Sequence, residues 1–380
     1  KCNTEEDFYK ACRAASILGT LQAGYTDFKF LTDTSKLIFD REALLGVSIT
    51  GWMNNPDILF DENILEKGAK IVKEVNREVA QIIGINSAAR TTCVKPSGNA
   101  SVLLQTASGI HAEHSNMYIR NVQMNKESEI TQAIMKTNPY MVEDSVWSAG
   151  GTDVVVSFPI LPKKGSMYKD DLLGVKHLEL VKKAQKHWVE AGTNEDLCAD
   201  KGVRHNVSNT IIVDDWDEVE KYVFENRHSF AGISFLAMSG DKDYNQAPNT
   251  AVITAKDMVK KYGNAAVFAS GMVVDALKCF NNLWDACSTA KGFGEDLSLE
   301  SSENAMKRDW IRRFGKFADN YLNSDTLLAE HCLKDAYLLH KWNKIQSTLK
   351  TVDWKEDIKE RKYTDVDTLA AAACAGGACE

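Results

Sequence analysis

Apolar residues recur at helical spacing near the start of the chain. Phe8, Ala11, Cys12, Ala15, Ile17 and Leu18 predict a largely buried helix, and Thr4 followed by Glu5, Glu6 and Asp7 reads as its N-cap and acidic first turn. A longer amphipathic helix is predicted from Asn63 to Ile83, with Ile64, Ala69, Ile71, Val72, Val75, Val79 and Ile83 on its inner face. Between them, Leu44 to Thr50 is a short apolar run closed by Gly51, either a strand or a buried loop. Further on, the β-branched run Asp153 to Phe158 predicts a strand ended by Pro159. Leu173, Leu180, Val181, Ala184 and Trp188 mark a helix stopped at Gly192. Strands are predicted at Val207 to Val213 and Gly232 to Leu236, with a helix started by Asp214-Asp215-Trp216-Asp217 between them. Alternating strands and helices argue for an α/β fold with parallel strands. After Asn264 the pattern is mainly helical, through Phe280, Trp284, Trp310, Phe314, Phe317, Tyr321, Leu333 and Trp342. No internal repeat and no interdomain linker is visible before the tail.

The stretch from Thr91 to Arg120 carries the candidate chemistry. Thr91 to Val94 is β-prone, Pro96-Ser97-Gly98-Asn99 is a turn, and Ser101 to Gln105 begins a helix. A strand, a small-residue turn and a helix start gather free backbone N–H groups at one point, which suits an anion. The hydroxyls of Ser97 and Ser101 are expected to add donors. No Lys stands inside the turn as in a Walker loop. The plainer alternative is an ordinary strand-to-helix connection. His111 and His114 are three apart in a loop without a completing carboxylate or thiol motif, so they read as structural or substrate-proximal, and no metal site is expected. Pro162 to Ser166 reads as a surface turn, and Asp241 to Pro248 as a polar loop after a strand.

Composition narrows the classes. With 45 basic and 53 acidic residues the net charge is −8, which argues against a polynucleotide groove but not against a nucleotide. No apolar run is long enough to span a bilayer, and no signal peptide is visible. Nine scattered cysteines without scaffold spacing fit a reducing cytoplasm.

The tail has its own character. Cys374-Ala375-Gly376-Gly377-Ala378-Cys379-Glu380 follows a featureless alanine run. On a continuous helix, residues five apart point about 140° away from each other. Gly376-Gly377 allows a turn that brings the two Cα atoms within the roughly 7 Å a disulfide needs. A mobile end with two thiols can exchange with a disulfide in a pocket and swing out to a reductant. The alternatives are incidental terminal cysteines or half of a zinc site. Glu380, together with the chain terminus if it lies here, disfavours a thiolate at Cys379, so Cys374 is expected to attack first.

VKPSGNAS, SGIHAEHS and YIR, then RHNVSNTIIV (204–213), FAGISFL (230–236), YNQAP (244–248), FNNLWDAC (280–287) and CAGGACE (374–380) occur in one order along the chain. This set resembles the adenosylcobalamin-dependent (class II) ribonucleotide reductases over nearly the whole length. The resemblance implies an α/β fold forming part of a ten-stranded barrel, with residues 1–362 as the C-terminal half of the barrel domain plus its helices and 363–380 as a flexible redox tail. It implies reduction of ribonucleotides by thiyl-radical chemistry, adenosylcobalamin as cofactor, and a substrate-phosphate seat at Ser97, Gly98, Asn99, Ala100 and Ser101. Asn99 stands where Thr or Ser is frequent, so only its backbone N–H is assigned a role. Cys374 and Cys379 would be the shuttle pair, serviced by a thioredoxin- or glutaredoxin-like reductant.

The family's finger-loop motif Asn-Pro-Cys-x-Glu does not occur in this chain, so the radical thiol is expected on the N-terminal half of the reductase, without which the chain is expected to be inactive. Cys2-Asn3-Thr4-Glu5 mimics the family's Cys-Asn-x-x-Glu, whose cysteine reduces the substrate. Leu is missing after Asn3 and a helix begins at once, so a terminal, exposed thiol is the expectation. Two alternatives are a large-subunit fragment of a diiron-dependent reductase, whose adjacent tyrosine pair is not found here, and a non-catalytic nucleotide-binding subunit.

Overall fold

The computed structural model describes residues 2–238, 244–292 and 302–354. They form two compact units, Lys1–Asn116 with Pro162–Gly240, and Met117–Leu161 with Asp241–Glu380.

In the first unit, α1 (Glu5–Ala23) starts at a Thr4 capping box: Asp7 N–H donates to the Thr4 hydroxyl oxygen, and Asp7 accepts from the Thr4 backbone. Its buried face differs from the expected one. It is Phe8, Cys12, Ser16 and Thr20, while Leu18 is exposed. Polar residues are tolerated there because helix α4 (Glu62–Ile83) supplies their partners. Ser16 donates to the Val72 carbonyl, Asn76 donates to the Thr20 hydroxyl, and Asn76 accepts from Ala88 N–H. The helices α2 (Asp33–Glu42) and α3 (Pro56–Leu59) intervene before α4 (Glu62–Ile83), which begins at Asp61 and ends at Gly84.

Strands in this unit are short and parallel. β1 (Val47–Ser48) pairs with β2 (Thr92–Cys93). Further along, β6 (Thr210–Val213) pairs with β7 (Ser234–Ala237). One isolated parallel bridge, Val94 with Val207, links the residue after β2 to the segment leading into β6. The connections are helical: α4 between β1 and β2; α5 (Gly98–Leu104) and α7 (Gly174–Ala184) between β2 and β6; α8 (Trp216–Glu225) between β6 and β7. α7 continues as a π turn, Gln185–Glu190. There Trp188 is fully buried, donates to the Cys93 carbonyl, and accepts at its own carbonyl from Thr92. The α/β class and parallel pairing agree with expectation. Among the described residues the sheets are small, and a ten-stranded barrel is not formed.

The second unit carries an antiparallel sheet, a departure from the parallel expectation for the 153–158 run. β3 (Tyr118–Asn125), β4 (Val142–Asp144), β5 (Asp153–Ile160) and β8 (Asn249–Ala251) run in the order β4-β5-β3-β8. β5 continues through Pro159, which pairs with Ile119. Pro159 is tolerated because β4 reaches only to Val156, leaving that side of β5 an edge. With α6 (Glu129–Thr137), the helices α9 (Ala255–Tyr262), α10 (Ala265–Cys279), α11 (Leu283–Gly292), α12 (Ser302–Tyr321) and α13 (Thr326–Thr348) complete the unit. Trp310, Phe314, Phe317 and Leu333 form its core, as expected. No helix among the described residues is long and apolar enough to cross a membrane.

Candidate functional site

The loop after β2 turns at Pro96 and enters α5 three residues earlier than expected, with Ser97 at the N-cap. Ser101 N–H bonds the Ser97 carbonyl and so closes the first helical turn. The amides of Gly98, Asn99 and Ala100 have no protein acceptor among the described residues, and all three residues are exposed. These are the unpaired donors of a helix start.

The hydroxyls behave otherwise than expected. Ser101 is buried and donates to the Gly98 carbonyl at 2.9 Å. Ser97 Oγ lies 2.5 Å from Thr50 Oγ1, whose proton goes to the Ala107 carbonyl at 3.1 Å. Ser97 is therefore the donor in that pair, and both serine protons are committed inward. What the loop offers an anion is main-chain N–H.

Residues 48–54 brace the loop from behind. Ser48 Oγ accepts from Lys95 N–H, and Thr50 Oγ1 accepts from Gly109 N–H. The buried Asn54 accepts at Oδ1 from the Thr106 hydroxyl and from Ala107 N–H, and donates through Nδ2 to Glu113 and Ser166. Gly51 lies between at φ +75°, where a Cβ would approach Thr106 Oγ1 to 2.0 Å.

The histidines hold backbone. His177 donates to the Ile110 carbonyl at 2.9 Å, and burial pulls its pKa down to about 4. His111 at Ser108 and His205 at Thr92 are likewise lowered, first by burial. A neutral ring keeps one N–H for the carbonyl it faces. No group of three or more His, Cys, Asp or Glu among the described residues is arranged to hold a metal ion.

A cavity of about 570 Å³ is lined among others by Thr50, Leu104, Thr106 and Trp188, and residues 97–101 are not on its wall. Cys2 lines it too. The exposed terminal thiol expected from sequence is instead half-buried, with its carbonyl accepting from Asn55 Nδ2 at 2.8 Å. Burial raises its pKa. Cys12 lies on the same cavity wall, its pKa pushed up to about 12 by burial.

The Tyr244-Asn245-Gln246-Ala247-Pro248 segment belongs to the second unit. Tyr244 meets Trp147 edge-on at 5.8 Å, and Gln246 bonds Val146 N–H and the Asp144 carbonyl. Cys374 and Cys379 lie outside the described residues.

These features define a class by geometry: an α/β protein with open main-chain donors at a helix start and, behind the segment that braces that loop, a cavity with Cys2 and Cys12 on its wall. Comparison with known proteins narrows it. No family model matches the chain. It is 28% identical over 191 residues to a probable adenosylcobalamin-dependent ribonucleoside-triphosphate reductase of Dictyostelium discoideum, covering 49% of this chain and 24% of that protein. It is 24% identical over 224 residues to the adenosylcobalamin-dependent ribonucleoside-triphosphate reductase of Euglena gracilis, covering 57% and 28%. A crystal structure of a B12-dependent (class II) ribonucleotide reductase superposes with a TM-score of 0.50 at 16% identity, over 59% of this chain and 34% of that one. The chain is thus homologous to part of the adenosylcobalamin-dependent ribonucleotide reductases, as its motif order implied. It spans about a quarter of the length of the curated relatives it matches.

Proposed function

We propose that this chain is the part of a B12-dependent ribonucleotide reductase that seats the substrate's phosphate and returns electrons to the site. One observation supports the reading: the amides of Gly98, Asn99 and Ala100 are exposed and have no protein acceptor among the described residues, on a loop whose bracing residues Thr50 and Thr106 line a cavity that Cys2 also lines. The parallel strands β1, β2, β6 and β7 would form part of the ten-stranded barrel, completed by an N-terminal half that carries the radical thiol.

In this reading the ribonucleotide's anionic end binds the three amides. Hydrogen replaces the 2′-hydroxyl, which leaves as water, and two thiols become a disulfide. Cys2 is one of those thiols, and the other comes from the N-terminal half. Cys374 and Cys379 reduce that disulfide by exchange and are re-reduced by a thioredoxin- or glutaredoxin-like protein. A reducing cytoplasm is the matching compartment, and neither polynucleotide nor membrane is a partner.

Adenosylcobalamin, when bound, supplies the radical that starts the reaction. The cavity that Cys2 lines, about 570 Å³, has the volume of a site for a drug-sized ligand. It is too small for a corrin with its side chains, so this cavity is not assigned to the cofactor.

The amide seat is tested at Gly98. A Cβ there meets nothing within 4 Å, so Gly98→Ala should bind cytidine triphosphate as the natural chain does. Gly98→Pro also suits the first helical position but removes one N–H, and should weaken binding about tenfold. Equal affinity in all three proteins contradicts the amide seat.

A further inference from the structure

We propose that Asn55 and Lys163 are positioning residues for Cys2: together they hold its backbone and keep it on the cavity wall. The inference rests on Cys2 being one of the two substrate-reducing thiols, and it is independent of the amide seat. Cys2, Asn3, Asn55 and Lys163 all line the one cavity. The peptide unit between Cys2 and Asn3 is pinned at both of its polar atoms. Its oxygen accepts from Asn55 Nδ2 at 2.8 Å, and its N–H donates to Asp7 Oδ2 at 3.2 Å. Asp7 belongs to the capping box at the start of α1, four residues along the chain. Asn55 is the anchor that reaches across from a distant segment, so its bond fixes which way the residues before α1 run.

The Asn55 carboxamide is committed to this task. Asn is a favoured N-cap, and Asn55 stands at the N-cap of α3, yet its side chain makes no capping bond there. Its Oδ1 instead accepts from Lys163 Nζ at 2.8 Å. An ammonium can only donate, so this bond decides which end of the carboxamide faces Cys2 and leaves Nδ2 for the Cys2 carbonyl. A flipped carboxamide would set its NH2 against the ammonium and oxygen against oxygen. Lys163 is itself exposed, but the turn that carries it is held. Its carbonyl accepts from both the N–H and the hydroxyl of the buried Ser166, and Ser166 accepts from Asn54 Nδ2 at 3.0 Å. Met167 N–H donates to the Met53 carbonyl at 2.8 Å. The consecutive side chains of Asn54 and Asn55 therefore grip one turn, and Asn55 passes that support on to Cys2.

The test follows iodoacetamide alkylation of the full chain by peptide mass spectrometry, with Cys12, buried on the same cavity wall, as the internal control. Asn55→Leu keeps the bulk of the side chain and removes both hydrogen bonds. It should raise the Cys2 rate about fivefold, since a freed thiol gains access and thiolate together, and leave Cys12 unreactive. Lys163→Met should raise the Cys2 rate about twofold, the scale of an exposed contact, and Lys163→Arg should match the natural rate. An unchanged Cys2 rate in Asn55→Leu, or Cys2 and Cys12 rising together, overturns the proposal. With the N-terminal half present, Asn55→Leu should lose about tenfold in kcat at unchanged KM. Full turnover in that variant overturns the positioning role. Full turnover in Cys2→Ser instead overturns the reading of Cys2 as a reducing thiol and leaves the alkylation result standing.

Discussion

The hydroxyl of Ser97 points back to Thr50, with 2.5 Å between the two oxygens, so the turn that faces solvent with its amides is anchored by its side chain. Thr50 serves three groups at once: Ser97 Oγ, the Ala107 carbonyl and Gly109 N–H. Thr50→Val keeps the shape and deletes the hydroxyl. The expected result is a loss of about 1–3 kcal/mol in chemical denaturation, together with weaker nucleotide binding. Unchanged stability and binding would show that the anchor is dispensable.

Gly51 tests the same support by sterics. At φ +75°, with Thr106 Oγ1 2.0 Å from where a Cβ would be, Gly51→Ala combines backbone strain with a clash. It should cost more than about 2 kcal/mol. The double variant Gly51→Ala/Thr106→Ser still retains the clashing oxygen, so only Thr106→Ala should return part of the loss. Denaturation midpoints of the three proteins check this.

Stability should depend on pH through His177. Its folded pKa of about 4 lies below the ordinary value of 6.5, so the unfolded chain binds more protons between those values. Stability is therefore complete above about pH 6.5 and falls as pH drops toward 4, by at most about 3 kcal/mol from this group. His111 and His205 are lowered in the same direction and add to the slope. His177→Gln should flatten the profile between pH 6.5 and 4. A slope identical to that of the natural chain would assign the effect elsewhere.

Thiol reactivity should be ordered by burial. Cys12, Cys287 and Cys332 are buried with pKa values pushed up to about 12, so almost none is thiolate at neutral pH. Iodoacetamide should leave these three for last in the native chain. Within the tail, Cys374 should react before Cys379, whose neighbour Glu380 disfavours its thiolate. Peptide mass spectrometry over a time course reads both orders, and equal rates at Cys374 and Cys379 rule out the second.

Replacing Cys374 and Cys379 by Ser separates a reductase from a nucleotide-binding subunit. Together with its N-terminal half, the variant should lose turnover with a protein reductant and keep it with a small dithiol. Turnover by this chain without any partner would contradict the proposed division of labour.

Helices α1 and α4, the Thr4 cap and the bend at Pro96-Ser97 were legible because their causes are local: spacing, a capping side chain, a residue that bends the chain. The order of short motifs was legible for a different reason, because it survives without any knowledge of contacts. The buried face of α1 was misread, since Ser16 and Thr20 are acceptable inside only when Val72 and Asn76 arrive from α4. The run at 153–158 reads the same whether its neighbours run parallel or antiparallel, and β3 and β4 chose the latter. The inward turn of Ser97 and Ser101, the burial of Cys2 and the presence of Lys163 on the cavity wall all depend on groups far away in the chain. Periodicity and turn chemistry thus determine which segments are helix, strand or bend. Which polar atoms remain free for a ligand is decided only when distant segments meet, because a hydrogen bond, once made within the protein, is no longer on offer.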